Sequence, residues 1–219
     1  MAVQVYATDG LKDFAYNIIK EKLLGGVIGL GERIREDILA KELGVSRTPV
    51  REAINRLVTQ GLVVEIPRKG LFAAEFSTKD ILDALDVRTV LECKSVRLCC
   101  ERITEEQAAN LEKIYEQYVE AITNHRFLES SRLDAQMHKM IVSVSENKKL
   151  FAYIDDLEDF FTYVRLKKVQ DWNSSEIERA IGEHRRLLDA IRNHKADLAA
   201  QMMENDMNSM KSLVKEREG

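Results

Sequence analysis

The chain has 219 residues, enough for one large domain or two small ones, and 45% of them are hydrophobic, so a packed core can form. Charged residues at 32%, with only ten glycines and two prolines, predict a mainly helical protein. No segment approaches the roughly 20 apolar residues that a membrane span needs, and the N-terminal MAVQVYATDG lacks the basic and apolar regions of a signal peptide; we therefore expect a cytoplasmic protein with no membrane partner.

Three amphipathic segments make up most of the chain before the first predicted strand. The segments LKDFAYNIIKEKLLGG and REDILAKELG repeat apolar residues at helical spacing, and the second of them stops at Gly44. The third, GVSRTPVREAINRL, predicts a helix that Ser46 or Thr48 can cap, with Pro49 in the first turn, where its missing N–H costs little. We therefore predict three short helices.

The next two runs, LVVEI and GLFAAEF, are rich in β-branched and aromatic residues and are separated by PRKG. This pattern predicts a β-hairpin with a basic tip. Three helices followed by a basic hairpin form a winged helix-turn-helix. We therefore predict a DNA-binding domain over residues 1–76.

Two arginines at the start of the third helix are candidates for sequence recognition. Arg47 and Arg51 are four residues apart and share one face, at the end of the helix that enters the major groove in this fold. Arginine can make a bidentate contact with guanine, and Thr48 can reach a base or a phosphate. Ser46, next to the free amides of the first turn that suit a phosphate oxygen, completes the predicted DNA-binding set at this helix end.

The tip of the hairpin adds Arg68 and Lys69 as a second basic contact. Residues 46–70 hold five basic and two acidic side chains, a net charge of +3 within a chain whose net charge is −4. This local surplus of positive charge favours double-stranded DNA as a partner. The alternative is an ordinary solvated helix end followed by a charged turn.

The stretch GERI…LAKELGVSRTPVREAINRLVTQGLVVEIPRKGLFAA resembles the N-terminal DNA-binding domain of the GntR family of bacterial transcription regulators. The unbroken run from Gly44 to Ala53 carries the specific part of this pattern. The resemblance implies a homodimer that binds a short pseudo-palindromic operator. It also implies that four positions touch DNA: Arg47, Thr48, Arg51 and, in the wing, Gly70.

From Ser77 onward nearly every segment has a helical pattern, and no glycine occurs between Gly70 and Gly182. The segment FSTKD is the best candidate for a linker, because Ser77 or Thr78 can cap the first helix of a second domain. We predict an all-helical antiparallel bundle over residues 77–219, with helices near 79–102, 104–124, 127–145, 148–168, 174–194 and 196–216.

Three of these helices carry ionisable residues in the middle of an otherwise apolar stripe. Asp134 and His138 lie four residues apart on the third helix, His184 lies on the fifth, and Asp206 lies on the last. Burying one such group without a partner is unfavourable by several kcal/mol, so we expect the four side chains to meet. Two imidazoles and two carboxylates suit a divalent cation such as Zn, Ni or Mn. The alternative is four unrelated residues.

The segments LDAQMHKMI and GEHRRLLDAI, followed by a terminal helix, resemble the FCD effector domain of the FadR branch of the GntR family. In its metal-binding members an Asp-x3-His pair, a His on a later helix and a His on the last helix hold a divalent cation. The first three match Asp134, His138 and His184, and the spacing leads the fourth ligand to Asp206, where many relatives have His. The resemblance further implies a small carboxylate effector that completes the coordination of the metal ion.

Two arginines are candidates for binding such an effector. Arg88 interrupts an apolar stripe on the first helix of the bundle, and Arg165 follows Phe161 and Val164 on the fourth. A buried guanidinium needs an anion, which a ligand carboxylate can supply bidentately. A structural ion pair, for example between Arg88 and Glu92 one turn later, is the alternative.

These features favour a ligand-responsive transcription regulator that is not an enzyme. An open site of two histidines and two aspartates can also activate water, as in a metal-dependent hydrolase. Against a hydrolase, we find no separate general base placed beside the site, and the DNA-binding half would have no role. A regulator that binds no metal and takes an acyl or apolar ligand is the third interpretation.

Overall fold

The computed structural model of the protein describes residues 3–169 and 172–216, except for the side chains of residues 3–9, 159, 163, 165–169, 213 and 216. The chain divides into two compact units, Met1–Glu75 and Phe76–Gly219. Each unit has its own secondary structure elements and its own apolar interior, so the two are described separately.

The first unit consists of three helices and a small antiparallel sheet. Its elements in chain order are α1 (Val3–Leu24), β1 (Arg33–Ile34), α2 (Glu36–Leu43), α3 (Arg47–Thr59), β2 (Val63–Ile66) and β3 (Gly70–Ala73). The strand order is β1-β3-β2, and the hairpin pairs Val63 with Ala73 and Ile66 with Gly70. The predicted winged helix-turn-helix is confirmed, and β1 is an additional strand that the sequence did not predict.

The helix boundaries of this unit follow from a glycine stop and an apolar face. Gly44 has the left-handed backbone conformation (φ 67°), and its N–H donates to carbonyls at the end of α2, so α2 ends where predicted. Ile54 and Leu57 of α3 are fully buried and belong to the same hydrophobic core as Ile19 of α1. With this face of α3 buried, residues 46–48 at its N-terminal end remain exposed.

The second unit consists of helices only within the described residues. They are α4 (Thr78–Arg102), α5 (Glu105–Thr123), α6 (Phe127–Val144), α7 (Lys148–Val169), α8 (Ser174–Arg192) and α9 (Ala196–Glu216). Each begins and ends within two residues of its predicted bounds. The Ser77 side chain caps α4 in a reciprocal arrangement with Asp80, and Thr104 caps α5 in the same way with Gln107.

The interior of the second unit combines an apolar core with buried charge. Helix α4 contacts α6, α7, α8 and α9, and α5 packs on α6 and α8. Fully buried apolar side chains come from several of these helices: Leu85, Val96, Ile122, Met137, Ile141 and Met203. Arg88, Glu92, Asp134, His138 and His184 are buried in the same unit. Among the described helices, none combines the length and apolar composition required to cross a bilayer.

Candidate functional site

The exposed end of α3 presents the predicted recognition residues to solvent. Arg47, Thr48 and Arg51 all lie in the first turns of this helix and are exposed. Arg51 pairs with Glu36, the first residue of α2. Ser46 occupies the N-cap position, but its side chain makes no capping hydrogen bond, and Thr48 lies inside the helix. The predicted side-chain cap is therefore wrong, and the Ser46 side chain leaves the first amides of α3 uncapped.

The tip of the hairpin presents the other two predicted basic residues. Arg68 and Lys69 are exposed, and the backbone N–H of Lys69 donates to the carbonyl of Ile66 at 3.0 Å, which closes the turn. The backbone of Gly70 has φ 111°, a region that disfavours side chains, and an added Cβ would lie 3.5 Å from the guanidinium of Arg33. Gly70 therefore allows the basic tip to form next to β1.

Three ionisable residues of the second unit meet in its interior. Asp134 and His138 of α6 and His184 of α8 each offer a ligand atom, and these atoms all lie within 4.8 Å of one another. Nε2 of His184 is 2.7 Å from Oδ1 of Asp134, and Nε2 of His138 is 4.0 Å from the same oxygen. All three residues are buried. We call these three residues the Asp-His-His cluster.

Asp206 of α9, the fourth residue of the predicted set, faces the cluster from the side of His138. Its Oδ2 lies 3.7 Å from Nε2 of His138, and its side chain is 19% exposed. The mutually close ligand atoms belong to the other three residues. The structure thus brings Asp206 to the edge of the Asp-His-His cluster, on the side of His138.

The contact of Nδ1 of His184 determines the protonation of the second ring nitrogen, Nε2. Nδ1 lies 2.9 Å from the carbonyl oxygen of Ala180, which can only accept, so Nδ1 carries a proton. In the neutral ring Nε2 then has a lone pair, which faces a carboxylate oxygen 2.7 Å away. Two acceptors at this distance require a proton or a metal ion between them. The residues therefore fit a divalent cation.

The electrostatic environment of the cluster is negative. Burial alone would lower the pKa of His184, but the hydrogen bond to Asp134, together with the charges of Asp134 and Asp206, raises it to about 9. Burial would also lower the pKa of His138, and the charges of Glu92 and Asp134 outweigh it and raise the pKa. The neighbours of both histidines therefore stabilise positive charge, whether a proton or a bound cation carries it.

Arg88 of α4 is fully buried and is bound by two carboxylates. Its Nε and Nη2 donate to Oε1 of Glu92 at 3.0 and 2.9 Å, and Nη2 also donates to Oε2 of Glu158 at 3.0 Å. The guanidinium carbon lies 4.6 Å from the centre of the Phe161 ring. Nη1 is buried and has no hydrogen-bond partner among the described residues. The ion pair that stood as the alternative for Arg88 is therefore present.

Glu92 connects Arg88 with the Asp-His-His cluster. Its Oε1, which accepts from Arg88, also lies 3.2 Å from Nδ1 of His138, although the two atoms are not aligned for a hydrogen bond. Burial alone would raise the pKa of Glu92, but the charges of His138 and Arg88 hold it at about 2. Glu92 is therefore ionised. The side chain of Arg165, the other predicted effector residue, lies outside the described residues.

Two acidic residues of these sites were not predicted. Glu158 is 70 residues from Arg88, and Glu36 is 15 residues from Arg51, so neither pair has a helical spacing that links it. Glu92 was named only as an alternative partner of Arg88. The one signal in the sequence was general: a buried arginine requires anions, but the sequence does not say which ones.

Comparison with known proteins identifies the family. Residues 11–72 match the gntR family of bacterial regulatory proteins, and residues 83–209 match the FCD domain. The chain is 31% identical over 187 residues to the HTH-type transcriptional regulator YdhC of Bacillus subtilis. This alignment covers 85% of this chain and 83% of that protein. The chain belongs to the GntR family of bacterial regulators.

Other relatives of this GntR regulator agree with the assignment. It is 32% identical over 172 residues to the Nta operon transcriptional regulator of Aminobacter aminovorans, with 78% of each chain covered. Among solved structures, E. coli McbR/YncC has a TM-score of 0.84 at 22% identity and covers 95% of this chain and 99% of that chain. A putative regulator from Rhodococcus sp. RHA1 has a TM-score of 0.78 at 17% identity, with 93% and 96% covered. At these identities the two structures show the shared fold.

The family membership bears on one of the three interpretations of the sequence, the hydrolase. Both resemblances, to the GntR DNA-binding domain and to the FCD domain, are confirmed. The GntR regulator is a transcription regulator with an effector-binding domain, and its relatives are regulators rather than enzymes. The hydrolase interpretation is therefore not supported.

Proposed function

We propose that this GntR regulator is a cytoplasmic homodimer that binds double-stranded operator DNA and senses a small carboxylate beside a divalent cation. DNA binding would use the helix end at Ser46, Arg47, Thr48 and Arg51 together with the hairpin tip at residues 68–70. The Asp-His-His cluster would hold the cation, with Asp206 as an additional oxygen donor. The effector would bind next to Arg88, and Arg165 is proposed as a second effector residue.

One observation carries the cation part of the proposal: the contact between Asp134 and His184. Nδ1 of His184 donates to Ala180, so Nε2 faces the Asp134 carboxylate with a lone pair unless the ring is protonated. Histidine ligands of metal ions characteristically donate their second ring N–H to a carbonyl or carboxylate in this way. Imidazole nitrogens and carboxylate oxygens in this combination suit Zn, Ni or Mn.

Arg88 supports a carboxylate as the effector class. Its Nη1 is buried and lacks a partner in the described part of the chain, although guanidinium N–H groups rarely stay unsatisfied when buried. A carboxylate oxygen is the strongest acceptor for this group. When bound, a divalent cation would supply a positive charge and an open coordination position for a second oxygen of the same ligand.

Effector binding would regulate DNA binding through a difference in affinity. An effector changes operator affinity only as far as it binds the DNA-bound and the free forms differently. The homodimer and the two-fold operator follow from the resemblance to the family. Light scattering of the purified protein checks the dimer, since the chain mass is 25.1 kDa.

Metal content and operator binding test the proposal together. We expect the wild type to retain a divalent cation after dialysis and the double variant Asp134→Ala/His138→Ala to lose it. The double variant Asp156→Ala/His125→Ala changes two exposed residues of the same types and should keep the cation. A carboxylate effector should then alter operator retardation in gels for the wild type but not for the cluster variant. Equal metal content in all three proteins would overturn the cation site.

The metal-free regulator remains the second candidate function, because one observation favours it. A doubly protonated His184 forms a buried ion pair with Asp134 that needs no metal, and its pKa of about 9 means that this form prevails at neutral pH in the free protein. A wild type that takes up no cation and still responds to an acyl or apolar ligand would establish this alternative.

A further inference from the structure

Glu92 stands between a candidate effector residue and a candidate metal ligand. The same oxygen, Oε1, accepts hydrogen bonds from Nε and Nη2 of Arg88 and lies 3.2 Å from Nδ1 of His138. Glu92 is fully buried, as are Arg88 and His138. A buried carboxylate requires strong partners, and Arg88 provides two N–H donors on one side only. The other oxygen, Oε2, is buried and has no hydrogen-bond partner among the described residues, so the Glu92 carboxylate can still accept from the adjacent His138 ring.

The two nitrogens of His138 face different groups. Nδ1 is on the side of Glu92 and makes no hydrogen bond with the described residues. Nε2 lies 3.7 Å from Oδ2 of Asp206 and 4.0 Å from Oδ1 of Asp134, so it faces the Asp-His-His cluster. A neutral imidazole has one N–H and one lone pair, and the partner of one nitrogen decides which nitrogen keeps the lone pair.

We propose that Glu92 is a positioning residue that prepares His138 to bind the cation. By accepting a hydrogen bond from the Nδ1–H of His138, Glu92 would keep the proton on Nδ1 and leave the lone pair on Nε2, which faces Asp134 and Asp206. Arg88 and Glu158 keep Glu92 in place, because Arg88 holds the same Glu92 oxygen and is itself bound by Glu158. This inference rests on the proposed cation site and adds a residue outside the ligand set to it.

Titration with Ni²⁺ alone tests the role of Glu92 by calorimetry. Glu92→Gln keeps the size of the side chain and an acceptor for Arg88 but removes the charge that fixes His138, so Ni²⁺ should bind about 10- to 100-fold more weakly than to the wild type. Glu158→Gln is the matched control, since it removes a charge from the same guanidinium and has no described contact with His138. Its affinity for Ni²⁺ should stay close to that of the wild type.

Each outcome of the titration has a separate meaning. A wild type that binds no Ni²⁺ overturns the proposed cation site, and the role of Glu92 falls with it. If the wild type binds Ni²⁺ and Glu92→Gln binds it equally tightly, only the positioning role is overturned. Equal weakening in both variants also overturns it, because loss of negative charge near the site would then explain the effect.

A spectrum of the wild type keeps the inference testable even where Glu92→Gln does not fold. The chain has only four histidines, so long-range ¹H–¹⁵N correlations of their rings can be assigned in the Zn²⁺-loaded protein. We expect the shift of a protonated nitrogen for Nδ1 of His138 and the shift of a metal-bound nitrogen for Nε2. A metal-bound Nδ1, or an Nδ1 without a proton, would overturn the proposal.

Discussion

Arg51 of α3 and Glu36 of α2 form a two-point ion pair on the proposed DNA-binding surface. Nη2 of Arg51 lies 3.2 Å from Oε2 of Glu36, and Nε lies 3.3 Å from Oε1. The hydrogen bond to Glu36 and its charge raise the pKa of Arg51. An exposed pair of this kind is weak in water, so a base edge or a phosphate can replace it. In the proposed function, Glu36 would hold Arg51 in the free protein and release it to DNA.

The first prediction concerns Arg51 itself. Arg51→Ala should weaken binding to a duplex selected by the wild type from a random pool by about 5- to 150-fold, the range of one bidentate base contact. Arg56→Ala is the matched control, because Arg56 lies on the same helix but pairs with Asp13 and covers the Tyr16 ring of α1. Gel-shift titrations should show little change for the control. Equal losses in the two variants would contradict base recognition by Arg51.

The second prediction concerns the partner of Arg51. Glu36→Gln frees Arg51 and removes a negative charge near DNA, so binding to nonspecific duplexes should strengthen. The slope of log affinity against log salt should steepen by about 0.9 for an added phosphate contact. Glu42→Gln removes another acid of α2, which is more exposed (49% against 23% for Glu36) and pairs with Lys22 instead, and we expect a smaller effect. Identical salt slopes for the wild type and both variants would show that Glu36 does not restrain Arg51.

The secondary structure could be predicted where local chemistry fixes it. Gly44 ends α2 because glycine accepts the left-handed conformation, and Ser77 starts α4 through its reciprocal cap with Asp80. The strand β1 was missed because its two residues, Arg33 and Ile34, are too few to show an alternating pattern; their partners are in β3. The Ser46 cap failed because a suitable residue at the right position does not guarantee the hydrogen bond.

The candidate sites were predictable only in part, because some of their contacts depend on tertiary packing and not on local sequence. The spacing of Asp134 and His138 places both on one side of α6, and an apolar stripe around His184 indicates burial, so the sequence predicted that they would meet. Glu158 lies on α7, and nothing in its local sequence indicates that its carboxylate reaches Arg88 on α4. Partners that tertiary packing alone brings together leave no periodic signal in one sequence.

The third prediction concerns stability of the helical unit. Arg88→Met leaves the Glu92 and Glu158 carboxylates without their buried cation, which should lower the free energy of unfolding by about 3–5 kcal/mol. Urea unfolding followed by fluorescence of Trp172, the single tryptophan, reports on this unit.

The control for this variant is an arginine in a similar ion pair nearer the surface. Arg185 pairs with Glu112 and Asp189, and its side chain is 33% exposed. Solvent screens this pair, so Arg185→Met should lower the free energy of unfolding by about 1 kcal/mol or less. A loss for Arg88→Met no larger than that of the control would contradict a buried charge network around Arg88.

The fourth prediction concerns thermal stability. It should fall with rising pH in the metal-free protein, whereas the stabilisation by added Ni²⁺ should increase over the same pH range. In the metal-free protein the pKa of His184 is about 9, against an ordinary value of 6.5. Its contribution to stability is therefore complete below about pH 6.5 and is lost as the pH rises toward 9. With Ni²⁺ the proton competes with the cation, so the increase in melting temperature caused by Ni²⁺ should grow over the same range. Thermal melts recorded across this pH range, once with chelator and once with Ni²⁺, give the slope of melting temperature against pH in each state.

Two variants show whether His184 causes this behaviour. His184→Gln should flatten the decline of the metal-free melting temperature and abolish the increase with Ni²⁺, whereas His125→Gln, at an exposed position, should keep both. A decline that is equally steep in His184→Gln would assign the titration to another group, such as His138, whose pKa is also raised.

Anomalous diffraction from crystals grown with Zn²⁺ tests the central claim, a cation held by the Asp-His-His cluster, most directly. Data collected at the zinc absorption edge should show one strong peak in each chain between the Asp134 carboxylate and the Nε2 atoms of His138 and His184. Crystals of Asp134→Ala/His138→Ala grown in the same way should lack it. Wild-type crystals saturated with Zn²⁺ that show no peak at this position would contradict the account.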